Sequence, residues 1–224
     1  MTSRSSLCAP GVATAVIGLV LLLTGMSCSI VSLTGMWWEG TIHSEAFSGL
    51  ASASGRFTLW TFVADAKFLI FDLPDHSISV DSPYLCGREV LVSETQDRIC
   101  HQIYTTRALV GAAVAFSSVG ALAGLIALAS LLGCGGLDTA MGQRLQLVPV
   151  AFSVLGAGLM VAALVTAALA GSDLDPMLGE TRSTLGPAVY CAIFQIVCLL
   201  LAAAFGTSAR SAFKRKTPPV EMQV

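Results

Sequence analysis

The sequence predicts an all-α membrane bundle of four transmembrane helices carrying a small extracellular β-sheet domain. Three observations lead there. Of 224 residues, 54% are hydrophobic and 12% charged, against about 25% charged in an ordinary soluble domain. Four separate stretches run without a single charge, and one long segment between the first two of them has the composition of β-strands. So few charges cannot coat a soluble fold, and the surplus apolar surface faces lipid.

The four spans are read as 11–33, 108–132, 147–170 and 185–206. About twenty apolar residues cross the hydrocarbon core as a helix, which satisfies its own backbone hydrogen bonds there. Between them lie a 1–10 N-terminus, a 34–107 outer loop, a 133–146 inner loop and a 171–184 outer loop, followed by a basic 207–224 tail. Gly135, Gly136 and Asp138 mark the inner break, and Asp173, Asp175, Pro176, Glu180 and Arg182 the outer one. The first span has an alternative reading as a secretory signal starting from Arg4. Its apolar run, however, exceeds the roughly 7–15 residues of a signal core. Cleavage there would leave three spans and the same C-terminal side.

Basic residues near span ends set orientation. Arg4, Arg144, Arg210, Lys214, Arg215 and Lys216 stand on one side with only Asp138 and Glu221. The remaining basic residues share the other side with all the remaining acids. Both termini are therefore expected in the cytoplasm, and the chain is expected at the plasma membrane as a multi-pass protein.

Inside the spans the signals concern packing. Gly120 and Gly124 form a GxxxG pair that lets a neighbouring backbone approach closely, within one bundle or between two copies. Gly156 and Gly158 slim the third span. Gln195, the most polar side chain well inside a span, is expected to hydrogen-bond across the bundle, the other reading being a polar path. No Asp, Glu, Lys, Arg or His lies within the four spans, which speaks against proton relays and ion-coupled transport.

In the outer loop, Arg56 to Val63 (RFTLWTFV) and Ala66 to Leu73 (AKFLIFDL) read as the two strands of a hairpin split at Ala64-Asp65. Thr41 to Phe47 and Glu89 to Ser93 add two further candidates, and Asp97 to Thr106 reads as an upward extension of the second span. Cys86 and Cys100 are the only cysteines in this loop. A bridge between them closes a short loop worth roughly 3 kcal/mol, and an oxidising exterior favours it; two unpaired thiols are the alternative. Cys28, Cys191 and Cys198 read as small apolar packers. Cys8 and Cys134, at cytoplasmic span ends, are candidates for S-palmitoylation or unmodified thiols. Trp37 and Trp38 directly follow the first span, as interfacial aromatic anchors do.

Function classes are narrowed in the same way. With no asparagine in the chain, N-glycosylation is excluded. A net charge of −2 gives no footprint for nucleic acid. His43, His76 and His101 share no metal-ligand spacing, and no nucleophile elbow, HExxH or phosphate loop is present. No catalytic residue, metal site or cofactor is predicted, and the chain is read as a non-enzyme.

Two families share this layout. Four spans with a large, strand-rich first outer loop resemble the claudin and peripheral-myelin-protein superfamily. In that superfamily a Trp after the first span, a Gly-Leu-Trp and an Arg at the start of the second span recur. Trp38, Leu59-Trp60 and Arg107 fall in comparable places, with Thr58 at the Gly position. A closer resemblance is to the amastin family of trypanosomatid surface proteins. Within Arg56 to Ala66, Phe57, Thr58, Leu59, Trp60 and Asp65 match its signature. Arg56 and Ala66 replace its two cysteines, while Thr61 and Val63 replace its Gly and its basic residue.

The resemblance implies a divergent, claudin-like, non-enzymatic surface protein for membrane organisation, adhesion or host-cell interaction, with Cys86–Cys100 in place of the missing bridge. Its partners would be the lipid bilayer and, through the outer loop, a second copy or other surface proteins. Trp37, Trp38, Trp60, Phe62, Phe68 and Phe71 are contact residues or simply sheet core. The claudin side of the resemblance implies an alternative, a pore or barrier-forming protein. Glu39, Glu45, Asp65, Asp72, Asp75 and Asp81 would select cations there, or else form a solvated face.

Overall fold

The computed structural model describes residues 10–43, 51–68, 71–72, 76–81, 86, 94–132, 145–178 and 184–216. Helix α1 (Pro10–Thr34) leads into strands β1 (Met36–His43), β2 (Ala51–Thr58), β3 (Thr61–Phe68), β4 (Phe71–Asp72) and β5 (His76–Ser79). Helices α2 (Glu94–Leu131) and α3 (Leu147–Leu178) follow, then strand β6 (Thr184–Leu185) and helix α4 (Pro187–Lys216). Each of the four helices is long and apolar enough to cross a membrane. Large apolar side chains such as Val20, Leu122, Val165 and Leu200 stay exposed on them, as lipid-facing positions require.

The helices overrun the expected spans. α2 has 38 residues, a length of about 57 Å against a hydrocarbon core of about 30 Å. Its first turns, from Glu94, hold the extension expected for Asp97 to Thr106. α3 continues through Gly171 and Asp173 to Leu178, where a loop was expected. Asp173 stays helical because it has partners: Gln102 Nε2 donates to its Oδ2 at 3.0 Å, and Arg98 lies 3.3 Å away. The fourth helix starts at Pro187 and not at Leu185, because Leu185 belongs to β6.

The sheet is antiparallel, ordered β4-β3-β2-β1-β6, with β5 also pairing β3. The expected hairpin is corrected: the strands and the turn both lie elsewhere. β2 and β3 pair from Ala51↔Phe68 to Phe57↔Phe62, so the chain reverses at Leu59-Trp60 and Ala64-Asp65 lies within a strand. Thr58 is the physical reason. Its Oγ1 accepts hydrogen bonds from the Trp60 and Thr61 amides at 3.0 and 2.8 Å, a side-chain mimic of a backbone turn. The aromatic run RFTLWTFV is thus two strand ends and the turn between them. Thr41 to His43 falls in β1, whereas the Glu89 to Ser93 candidate lies outside the described residues.

The chain divides into two compact units. The first comprises Met1–Ser27, Ala113–Gly158 and Phe194–Val224; the second comprises Cys28–Ala112 and Leu159–Ile193, with the whole sheet. In the first unit, Leu22, Ala121, Ala157, Leu199 and Ala202 form a core. Gly120 faces α1 and α3, since a Cβ there would lie 3.1 Å from Phe152 Cβ and 3.6 Å from Leu22. A Cβ on Gly124 would meet Leu19 at 3.2 Å. The GxxxG pair therefore serves close packing within one chain, as does Gly156, whose Cβ would meet Leu199 at 3.3 Å.

The hydrogen bond expected of Gln195 is absent. Its side chain is fully buried, and neither amide atom has a partner.

Candidate functional site

The second unit gathers most of the singled-out residues at the hairpin turn. Arg107, on α2, clamps that turn from below. Its Nε and Nη2 donate to the Leu59 carbonyl at 3.1 and 2.6 Å. Its Nη1 reaches both oxygens of Asp81 at 3.1 and 3.3 Å. The guanidinium also stacks 4.2 Å from the Trp60 ring centroid and 5.1 Å from that of Tyr104. A planar, permanently charged fork suits this combination of carbonyl, carboxylate and ring partners in a way that a lysine ammonium does not. Leu59 itself is wholly buried, while Trp60 keeps 41% of its surface exposed.

The clamp continues along the backbone. Val80 donates its amide to the Trp60 carbonyl at 2.8 Å, and Cys86 donates to the Val80 carbonyl at 3.1 Å. Cys86 is then bridged to Cys100 on α2, with Cα atoms 5.6 Å apart. The disulfide expected from the sequence is present, and it ties the route leaving the hairpin turn to the same helix that carries Arg107. With its sulfur in that bridge, Cys100 has no thiolate to offer its neighbour His101, which is exposed.

Beneath the turn, tryptophans close the end of α1. A helix leaves its last four carbonyls without intrahelical partners. Trp37 Nε1 donates to the Ser32 carbonyl at 2.6 Å, and Trp60 Nε1 donates to the Leu33 carbonyl at 2.8 Å. Trp38 Nε1 reaches the Ala167 carbonyl on α3 at 3.0 Å.

Trp37 and Trp38 are 0% and 1% exposed, so the expectation of two interfacial anchors is corrected: both are sealed inside protein. Consecutive strand residues normally point to opposite faces. Here the β1–β2 register slips between Met36 and Trp38, leaving Trp37 as an extra, bulged residue, and a bulge re-aims side chains. Gly186 then donates to the bulged Trp37 carbonyl at 2.8 Å. Of the three tryptophans, Trp60 is the exposed one.

The signature positions divide by role. Phe57 stacks on Phe62 with centroids 4.3 Å apart, Thr58 caps the turn, Leu59 fills the core and Trp60 covers Arg107. Asp65 pairs with Ser54 through the backbone register of β2 and β3. Among the acids proposed for ion selection, Glu39 lies 3.9 Å from Arg56 and Asp81 is held by Arg107. Cys8, Cys134, Glu45 and Asp75 lie outside the described residues, as do the side chains of Asp65, Phe68, Phe71, Asp72, His43 and His76.

Sequence reasoning singled out Arg107 and Leu59-Trp60 only through resemblance, and it missed Val80, Tyr104 and the partnership of Asp81 with Arg107. No local signal in the sequence carries those contacts, because Asp81 and Arg107 are joined only by tertiary packing. No protein-family model matches the chain, and no curated protein matches its sequence.

Proposed function

We propose that this chain is a divergent, amastin-like surface protein of claudin-like layout: a non-enzymatic, four-span protein of the plasma membrane with both termini cytoplasmic. It presents its sheet outside the cell for membrane organisation, adhesion or host-cell interaction. One observation carries this reading. Arg107 holds the Leu59-Trp60 turn through the Leu59 carbonyl and the Trp60 ring, and Trp60 stays 41% exposed. A rigid platform that displays an aromatic beside a helix end suits docking to lipid or to another protein. Phe57, Thr58, Leu59 and Trp60 all lie at or beside that turn. The pairing of Glu39 and Asp81 with arginines favours presentation over a cation pore at those two positions.

The test uses intact cells bearing the full chain. A membrane-impermeant thiol reagent is applied with and without prior reduction, and labelled cysteines are read by peptide mass. Cys86 and Cys100 are expected to label only after reduction, and Cys8 and Cys134 not at all. Labelling of Cys8 or Cys134 on intact cells would overturn the orientation. On the same cells, Trp60→Ala is expected to lower binding to lipid vesicles or to untransfected cells at equal surface abundance. A membrane conductance that falls on Asp72→Asn or Asp75→Asn, with binding unchanged, would replace presentation by a pore.

A further inference from the structure

The first compact unit contains a cavity unconnected with the hairpin platform, reached by all four of its helix segments. Its walls are largely small or aliphatic: Gly18 and Leu22 on α1, Gly124 on α2, Ala202 and Gly206 on α4. The space open to the centre of a water-sized sphere is about 50 Å³, and the whole void with its open mouth about 480 Å³. Along α1 it runs from Ala15 to Leu22, about 10 Å of helix rise. No charged residue is among its described lining residues.

Two polar side chains line it. The hydroxyl of Ser153 is already committed, donating to the Pro149 carbonyl of its own helix at 2.7 Å. Gln146 is different. It is 94% buried, it lines the cavity, and neither its Nε2 nor its Oε1 has a hydrogen-bond partner. Leaving a buried amide unpaired costs on the order of 1–3 kcal/mol, and a polar group entering the cavity beside Gln146 would recover it. A neutral amide that both donates and accepts, beside an uncharged, apolar void, matches a hydroxyl attached to an apolar body. It does not match a carboxylate or a phosphate, which would want a cation.

We propose that this cavity binds a neutral membrane lipid through one hydroxyl, which exchanges hydrogen bonds with the Gln146 amide while the apolar body lies between Gly18, Gly124 and Gly206. A sterol and a diacylglycerol share that chemistry. Gly18, Gly124 and Gly206 line the void, and a larger side chain would not fit beside its walls: a Cβ at Gly124 would sit 3.2 Å from Leu19, and one at Gly206 would collide with Val150 at 2.7 Å.

The experiment uses the full chain in nanodiscs, with a photoactivatable sterol in one arm and a photoactivatable diacylglycerol in the other. Crosslinked peptides are mapped by mass spectrometry, and each arm is competed with its unlabelled lipid. Saturable labelling of the peptides carrying Ala15 to Leu22 or Gln146 to Ser153 is expected in one arm, which identifies the source of the hydroxyl.

Gln146→Leu is expected to weaken that labelling about three- to tenfold, the worth of one or two hydrogen bonds. In lipid lacking hydroxyls it should also raise the melting temperature of the chain. A merely structural glutamine would do the reverse. Gly124→Leu should abolish labelling by filling the void, and Gly158→Leu should leave it unchanged, because a Cβ at Gly158 meets nothing within 4 Å. Labelling that is absent in both arms, not saturable, or equal in Gln146→Leu and the parent overturns the proposal and leaves the cavity to water.

Discussion

The two compact units of this chain use the same four helices and hold them together by opposite means. In the unit carrying the sheet, large side chains and directed hydrogen bonds dominate. Three indole N–H groups each find a carbonyl, Arg107 grips the Leu59 carbonyl, Thr106 and Thr166 share a bond of 2.8 Å between α2 and α3, and Ser32 donates to the Ala188 carbonyl at 3.2 Å. In the other unit, glycine and alanine let the helices approach. The buried polar side chains Gln146, Gln195 and Ser117 have no partner there. The lesson concerns specification. Directed bonds fix one arrangement and fail sharply when one partner is lost. Close packing of small residues tolerates an odd polar group and leaves voids that a second molecule can fill.

The sharpest way to break this contrast is Trp37→Ala. The ring is completely buried and its N–H caps α1. We expect a loss of about 3–5 kcal/mol, read as a fall in the thermal midpoint of the purified chain. A loss below about 1 kcal/mol would mean that the bulge does not anchor the sheet. Next comes the disulfide. Replacing Cys86 and Cys100 by Ser should cost roughly 3 kcal/mol, and limited proteolysis should then cut first between Asp81 and Glu94 in the altered chain. An unchanged cleavage pattern would show the bridge to be dispensable.

Arg107→Ala should cost about 2 kcal/mol, because it strands the Leu59 carbonyl. Asp81→Asn should cost less than about 0.5 kcal/mol, since that carboxylate is more than half exposed. Equal losses from the two would place the energy in the ion pair and not in the carbonyl contact. The smallest effect carries the opposite sign. Gln195→Leu in the first unit should stabilise by about 1 kcal/mol by removing an unpaired amide, measured by denaturant or heat in the same nanodiscs. Destabilisation there would reveal a hidden partner and erase the contrast.

Much of the architecture was legible in the chain. Lipid solvation imposes a run of apolar residues long enough to span it, so four helices were visible from composition and length alone. Strand character within 56–63 and 66–73 followed from β-branched and aromatic residues, though not the start of β2 at Ala51, and the Cys86–Cys100 pair from being the only two cysteines in one loop. These features depend on local composition or on simple elimination, and no knowledge of neighbours is needed to see them.

What only the tertiary structure decided depends on register and partners. The hairpin turn lies at Leu59-Trp60 because Thr58 caps the backbone there, which outweighs the strand propensity of the aromatic run. Trp37 and Trp38 both point inward because a bulge cancels the alternation that their adjacency implies. Helix α3 runs on past Gly171 because Gln102 and Arg98, far away in sequence, meet Asp173. Gln195 lacks the bond that its polarity led one to expect, because the fold brings no partner within reach of its amide. A side chain's chemistry can be read from its letter, but whether that chemistry is satisfied depends on which other residues the fold brings within about 3 Å of it.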